Sequence, residues 1–397
     1  MRLFDDLVRT DLRPKAESEP RFHYLNTSAR PAVGAYRSIA EKWFHRLPDP
    51  PKAELRGRFR SPIDWQHDSA FFELYVHELF CQIGFALQIH PKAKNCHLPD
   101  FLVCAGRAPQ FYVEATLAGV PSTKEQGANA REAIVYDSLN KIDSPNFFLD
   151  IDVSGAPKRS PPTRKLRTQI ENWLAGLDPD KIGEFFQTGR YDAVPTLTWK
   201  HSGWQITIRP IPKSPRARGR PGIRPIGMLS PEGGWLKTRS ELKLAFENKA
   251  SRYGDLELPF MIAVNYVGLH SDNTDIMDSL FGQETVVFRQ KSDGTISAGR
   301  QSRTPNGFWI GPNGPRNPQV SAVMVATDLC PWSVGVCTPE VFHNPWATHA
   351  LPKDKIPVPQ HSINLRTECL EHTGGRSAGE ILAIPSPWPI SDDFADD

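Results

Sequence analysis

The chain of 397 residues carries 47 Lys and Arg against 45 Asp and Glu, a net charge of +2, with 39% hydrophobic and 10% aromatic residues. This balance excludes a chain too polar to build a core and a uniformly basic nucleic-acid coat, so attraction to a polyanion must come from local clusters. No run approaches the roughly 18 apolar residues of a membrane helix, "MRLFDDLVRT" is too polar for a signal peptide, and the six Cys are scattered without a Cys-x-x-Cys pair. A soluble, cytoplasmic protein with reduced thiols is therefore expected.

Taken in chain order, residues 1–62 read as an N-terminal extension with one helix, about Ala32 to Phe44, between proline-rich stretches. "HDSAFFELYVHELFCQIGF" has Asp68 or Ser69 as a candidate N-cap, a dense apolar pattern over four to five turns, and Gly84 as its stop, which predicts a buried helix. "FALQIH", "DFLVCAG" and "QFYVEATLA" follow as three strands bounded by Pro91, Gly106 and Pro121. Then come a helix over "NAREAIVYDSLNKI", a strand over "NFFLDIDVS" and an amphipathic helix over "RKLRTQIENWLAGLD". Each helix needs a sheet face for its apolar stripe, so an α/β fold, an α+β sandwich on a central mixed sheet, is expected over residues 63–180.

Residues 181–234 predict a hairpin turning at His201-Ser202-Gly203 and then a connector rich in Pro, Gly and Arg. A C-terminal α/β domain is expected over 235–360, with the helix ending "FENKASRYG", the buried strand "PFMIAVNYVG", the short helix "DIMDSLFG" and strands near "ETVVFRQ" and "VSAVMVAT". Residues 361–397 read as a tail ending in an acidic, partly disordered segment.

The chemistry concentrates in "PDFLVCAGRAPQFYVEATLA". Side chains alternate along a strand, so Tyr112, Glu114 and Thr116 share one face while Phe111, Val113 and Ala115 take the other. Asp100 opens the preceding strand, where a hairpin can bring it to Glu114. Two such carboxylates repel unless a divalent cation lies between them, and hard oxygen donors suit Mg²⁺ or Mn²⁺. The plainer alternative is turn chemistry at Asp100 and a solvent-facing strand Glu. A zinc set of His90, Cys96, His97 and Cys104 is disfavoured, because Cys104 falls inside a strand.

Together, "FFELYVHELFCQIGF", "PDFLV" and "FYVEAT" resemble the PD-(D/E)XK nuclease superfamily, with its restriction-endonuclease-like αβββαβ core, over roughly residues 66 to 175. The resemblance implies a Mg²⁺-dependent endonuclease, in a restriction or anti-phage role. Glu73 would be the helix acid, Asp100 and Glu114 the metal ligands, and the Ala115 carbonyl a further ligand. The motif lysine is replaced by Thr116, so the missing cation must come from elsewhere, and Lys124, ahead of Lys141, is the nearest candidate in sequence. The competing reading is a catalytically silent nucleic-acid-binding or scaffold subunit that keeps the fold.

Two other patterns are set aside. "FENK" spells Glu247-x-Lys249 but lies on a helix with no Pro-Asp strand before it, which reads as a solvated helix face. "HELFC" begins like a zinc-protease helix, yet Cys81 stands where the second His belongs; His77 could instead bond to Glu73, one turn away. For nucleic acid, expected to be DNA, the first candidate surface is the acid-free segment with Arg209, Lys213, Arg216, Arg218, Arg220 and Arg224, and "PKRSPPTRKLR" adds a second positive stretch. Trp199, Trp204 and Trp235 read as core residues before stacking platforms. A homodimer or larger defence complex is the expected assembly.

Overall fold

The structure, a computed structural model, describes residues 1–91, 98–220, 223–231, 238–253, 256–268, 272–288, 299–366 and 369–390. In chain order the elements are α1 (Arg21–Thr27), α2 (Pro31–Arg46), α3 (Pro51–Phe59), α4 (Asp64–Ile83), β1 (Ala86–Ile89), β2 (Phe101–Ala105), β3 (Ala108–Ala118), α5 (Thr123–Leu139), β4 (Phe147–Gly155), α6 (Thr163–Ala175) and α7 (Pro179–Gln187). They continue with β5 (Leu197–His201), β6 (Trp204–Pro212), β7 (Ile226–Pro231), α8 (Thr238–Tyr253), β8 (Phe260–Tyr266), α9 (Asn273–Phe281), β9 (Glu284–Val287), β10 (Arg300–Arg303), β11 (Ile310–Gly311) and β12 (Gly314–Pro315). The chain closes with β13 (Ala322–Thr327), β14 (Glu340–His343), β15 (Gln360–Asn364), β16 (Cys369–Thr373) and α10 (Ala378–Ile381).

The fold is mixed α/β, and the chain divides into two compact units. The first joins Met1–Arg13, Pro20–Val120 and Trp235–Ala395; the second joins Pro14–Glu19, Pro121–Gly234 and the last two residues. The division falls at Val120/Pro121 and at Gly234/Trp235, so the expected 234/235 boundary coincides with a unit boundary and the expected 180/181 boundary lies inside the second unit. The stretch 63–180 is cut at Val120, and the region assigned to a separate C-terminal domain is built into the same sheet as β1–β3. The reason lies in pairing: β3 runs parallel to β8, with Glu114 beside Ile262. Parallel neighbours need a crossover connection, and nothing limits how much chain that crossover contains. Here it contains Pro121–Gly234, the main part of the second unit, followed by α8.

The first unit is built on an eight-stranded mixed sheet in the order β1-β2-β3-β8-β13-β14-β15-β16. β8 is buried at every position, as its apolar run, broken only by Asn265, requires of a central strand covered on both faces. One face carries a core of Phe111, Val113, Ala115, Met261 and Ala263 under α4. The other carries Ile262 and Val264 with Leu242, Phe246 and Tyr253 of α8. Residues 1–62, expected to be an extension, supply α1–α3, and Phe4, Tyr36, Phe44 and Phe59 lie in the first of these cores. The helix over "FFELYVHELF" begins at Asp64 with Ile63 as its N-cap, ahead of both expected caps, and stops at Gly84 in the left-handed region at φ 106°. Backbone at that φ favours glycine, because a Cβ there crowds the following carbonyl.

The second unit has a four-stranded sheet, β5-β6-β4-β7, with its own core of Leu149, Ile151, Leu166, Ile170, Trp204 and Ile206. The helix and strand expected to continue the nuclease-like core after β3 are α5 and β4 of this unit. In chain order αβββαβ, the first unit runs α4, β1, β2, β3, α8, β8. The predicted hairpin is present as β5–β6 with His201 paired to Trp204. No helix among the described residues is long and apolar enough to cross a membrane. Cys81, Cys104, Cys330 and Cys337 are free thiols, and Cys104 lies within β2; Cys96, His97, Trp235 and the acidic end of the tail fall outside the described residues.

Candidate functional site

The β2–β3 hairpin pairs Phe101 with Val113, a register that carries Asp100 to the position opposite Glu114. The two acids are interlocked by the backbone: the Ala115 N–H donates to Asp100 Oδ2 at 2.8 Å, and the Asp100 N–H donates to Glu114 Oε2 at 3.3 Å. Pleat alternation turns Glu114 toward α8, where it is 2% exposed rather than solvated. A buried carboxylate needs partners, and α8 provides them. Lys249 Nζ lies 2.6 Å from Glu114 Oε1, the Tyr253 hydroxyl donates to Oε2 at 2.5 Å, and the Arg252 guanidinium stands 3.8 Å from Oε1. Lys249 and Tyr253 are four residues apart, one helical turn, so both reach one carboxylate beside the buried stripe of Leu242, Ala245, Phe246 and Ala250.

The charges bear on one another. Burial, then the negative charges of Glu114 and Glu73, hold the Asp100 carboxyl well above the usual range, with Lys249 and the Ala115 N–H opposing. Burial and the Glu114 charge likewise raise the Tyr253 phenol, which keeps it a donor. On the other side of Asp100, Glu73 of α4 is held by a bidentate fork from Arg58 of α3, with both N···O distances 2.6 Å. Arg58, Glu73, His90, Asp100 and Phe101 line a cavity of about 10 Å³, the space of roughly one water.

Of the sequence-predicted residues, Asp100 and Glu114 meet as expected, and Ala115 enters the site through its N–H. Thr116 follows on the same strand, half-buried, its hydroxyl only 3.5 Å from the Leu117 carbonyl. Lys124 and Lys141 are exposed residues of the second unit, on α5 and just past its end. The cation that reaches Glu114 is Lys249, which corrects the reading of "FENK" as a solvated face. Glu247 does keep a surface role, 3.8 Å from Lys243 and 3.7 Å from Arg316. Sequence carried one usable signal, Lys249 and Tyr253 at i, i+4 bordering an apolar stripe; which strand that stripe covers is a matter of topology. His77 does not bond Glu73. It contacts Cys81 at 3.8 Å and is held neutral by burial, with its pKa down to about 4.

The hard oxygen donors, the burial and the raised Asp100 fit a divalent cation at Asp100 and Glu114. Glu73, committed to Arg58, does not join them. Among the described residues no group of three or more acidic, His or Cys side chains is arranged to hold a metal. A two-carboxylate site suits Mg²⁺, which keeps several waters.

Comparison with known proteins gives no match: no family model, no curated protein and no solved structure is similar to this chain.

Three of the six basic residues of the second unit's Arg-rich segment are paired with acids of that unit. Arg209 reaches Asp150 at 2.7 Å and Asp152 at 3.4 Å; Arg218 reaches Asp180 at 2.6 Å; Arg224 lies 3.8 Å from Glu17 and also donates to the Lys15 carbonyl. Lys213 is buried, donating to the Ser144 carbonyl at 2.8 Å. Arg216 and Arg220 are exposed, and the Arg220 Nε donates to the Arg216 carbonyl. Trp204 is buried, and Trp199 packs edge-on against it.

Proposed function

We propose that the chain is a metal-dependent nuclease of the PD-(D/E)XK type, acting on DNA, with the motif lysine supplied by α8. The observation that carries the reading is the convergence of Asp100, Glu114 and Lys249 from a hairpin and the crossover helix. The element order α4-β1-β2-β3-α8-β8 supports it, with the second unit inserted between the Glu strand and the helix. Asp100 and Glu114 would hold Mg²⁺ or Mn²⁺, which would supply polarisation of a phosphate oxygen and a lowered pKa for water. The chain's own residues do the rest. Asp100 and Glu114 hold their geometry through the Ala115 N–H and the Tyr253 hydroxyl. Lys249, whose ammonium stands against Glu114 Oε1, would be the cation available to the attacking water or to the phosphate. Thr116 can donate one hydrogen bond on the same face. Arg58 holds the Glu73 carboxylate beside Asp100 with its two-pronged fork.

The test is incubation of the purified chain with plasmid, linear DNA and RNA, each with Mg²⁺, Mn²⁺ or chelator. Cleavage that needs metal and is abolished by Asp100→Ala and by Glu114→Ala is the expected result; cleavage that survives either change refutes the site. One observation favours a second reading, a silent nucleic-acid-binding subunit: both Glu114 oxygens are already satisfied by Lys249 and Tyr253. No cleavage in any arm, with metal affinity unmeasurable by calorimetry, decides for that reading.

A further inference from the structure

The structure reverses the ranking of the two basic stretches. Between Asp152 and Glu171 the chain carries Lys158, Arg159, Arg164, Lys165 and Arg167 and no acid. Lys158, Arg159, Arg164 and Lys165 are exposed, and among the described residues none of them has an ion-pair partner; Arg167 alone faces Glu171, at 3.8 Å. They span the β4–α6 connection and the first turn of α6, which has no acid of its own. This connection packs beside the β5–β6 turn. Gly155 lies so close to Gly203 that a Cβ would fall 2.4 Å from its carbonyl oxygen, and Lys158 Cε reaches within 3.7 Å of where a Cβ on Gly203 would stand. Lys200, exposed one residue before that turn, extends the same positive ground. Unpaired like charges gathered on one edge repel one another and, in the first turn of a helix, also oppose its dipole. The cost is offset when an anion sits against them.

We propose that this edge of the second unit, Lys158, Arg159, Arg164, Lys165 and Lys200, binds the phosphate backbone of duplex DNA, while Arg209, Lys213, Arg218 and Arg224 are structural. The proposal rests on the nuclease reading for the identity of the polyanion. The chemistry of the surface narrows it further. Trp204 is buried and Trp199, half-buried, is packed against Trp204 and His201, so among the described residues neither hairpin tryptophan stands free beside the cations as a stacking platform. The apolar stripe of α6, Leu166, Ile170 and Leu174, is buried in its own unit, which leaves no apolar face to enter a membrane.

The test uses the full chain in chelator, so that binding is read without cleavage, with a 30-base-pair duplex of arbitrary sequence followed by fluorescence anisotropy from 50 to 200 mM salt. Changing Lys158, Arg159, Arg164 and Lys165 together to Gln should weaken binding at least about tenfold and flatten the log–log salt slope by about 3 to 4, near 0.9 per phosphate contact. Arg209→Gln with Arg218→Gln should leave the slope unchanged. Single changes at the four positions, each flattening the slope by about 0.9, serve if the fourfold variant melts differently. The proposal is overturned if the fourfold variant keeps the parent's slope, if the parent prefers single strands or phosphatidylserine vesicles, or if it binds no duplex. Cleavage with Mg²⁺ is scored separately. Slope-dependent binding without cleavage defeats the nuclease reading alone, and cleavage by a fourfold variant with an unchanged slope defeats this surface alone.

Discussion

Replacing Lys249 with Met tests the centre of the site. Met keeps most of the length and removes the charge, leaving Glu114 buried without its nearest counter-ion at 2.6 Å. Removing one partner of a buried pair costs about 3–5 kcal/mol. Here the loss should be smaller, because the Tyr253 hydroxyl still donates to Oε2 and Arg252, 3.8 Å from Oε1, can move closer. Arg252 is 57% exposed, so solvent screens its contribution, and we expect a net loss of about 2–3 kcal/mol. In a unit of this size that lowers the melting temperature by roughly 4–10 °C. Glu114→Gln alone should cost less, since Lys249 retains access to water. The double variant should recover at least about 1 kcal/mol relative to the sum of the singles. The assay is urea and thermal unfolding of the four proteins in a double-mutant cycle, with turnover on DNA alongside. If the nuclease reading holds, Lys249→Met lowers turnover by about 10²- to 10⁴-fold and duplex affinity far less. Singles that add with no coupling, together with unchanged turnover, would refute the assignment of Lys249.

Asp100→Asn should stabilise the protein at pH 8. A carboxyl whose proton is held more tightly in the fold contributes stability below 3.8 and loses it as pH rises through its higher folded value. The gain in urea midpoint should shrink toward pH 4, and a variant no more stable than the parent at pH 8 rules out the raised carboxyl. His67 and His77 behave in the opposite sense. Burial lowers both from 6.5 to about 4, so the stability they contribute is complete above pH 6.5 and is lost as pH falls to 4, about 3 kcal/mol each at 1.36 kcal/mol per decade. Imidazole carbon shifts in labelled protein should show both rings neutral at pH 5; a charged signal from either contradicts its burial. Gly84→Ala should cost about 1–2 kcal/mol from backbone strain alone, because open space surrounds the added Cβ, and a neutral melt would place the end of α4 outside the left-handed region.

Local pattern sufficed for much of this protein. Alternation in "QFYVEATLA" assigned the two faces of β3, the apolar density of "FFELYVHELF" assigned a buried helix, Gly84 marked its end, and the Pro-Asp strand facing a Glu strand brought two carboxylates together. These features depend on neighbours within a few residues, or on a hairpin whose register its short turn specifies. What the tertiary structure alone decided are pairings across long separations. β3 and β8 are neighbours although Pro121–Gly234 of the second unit lies between them in sequence, and that pairing made α8 the helix over the Glu strand and Lys249 a cation at Glu114. The fork from Arg58 to Glu73 and the buried Phe4, Tyr36, Phe44 and Phe59 belong to that same unit, although the sequence reads 1–62 as an extension. Asp150, Asp152, Asp180 and Glu17 pair with three of the six basic residues of a segment that reads as free positive charge. Charge and hydrogen-bond partners are set by proximity in space, and a parallel crossover of arbitrary length leaves no periodic mark in the sequence from which that proximity could be read.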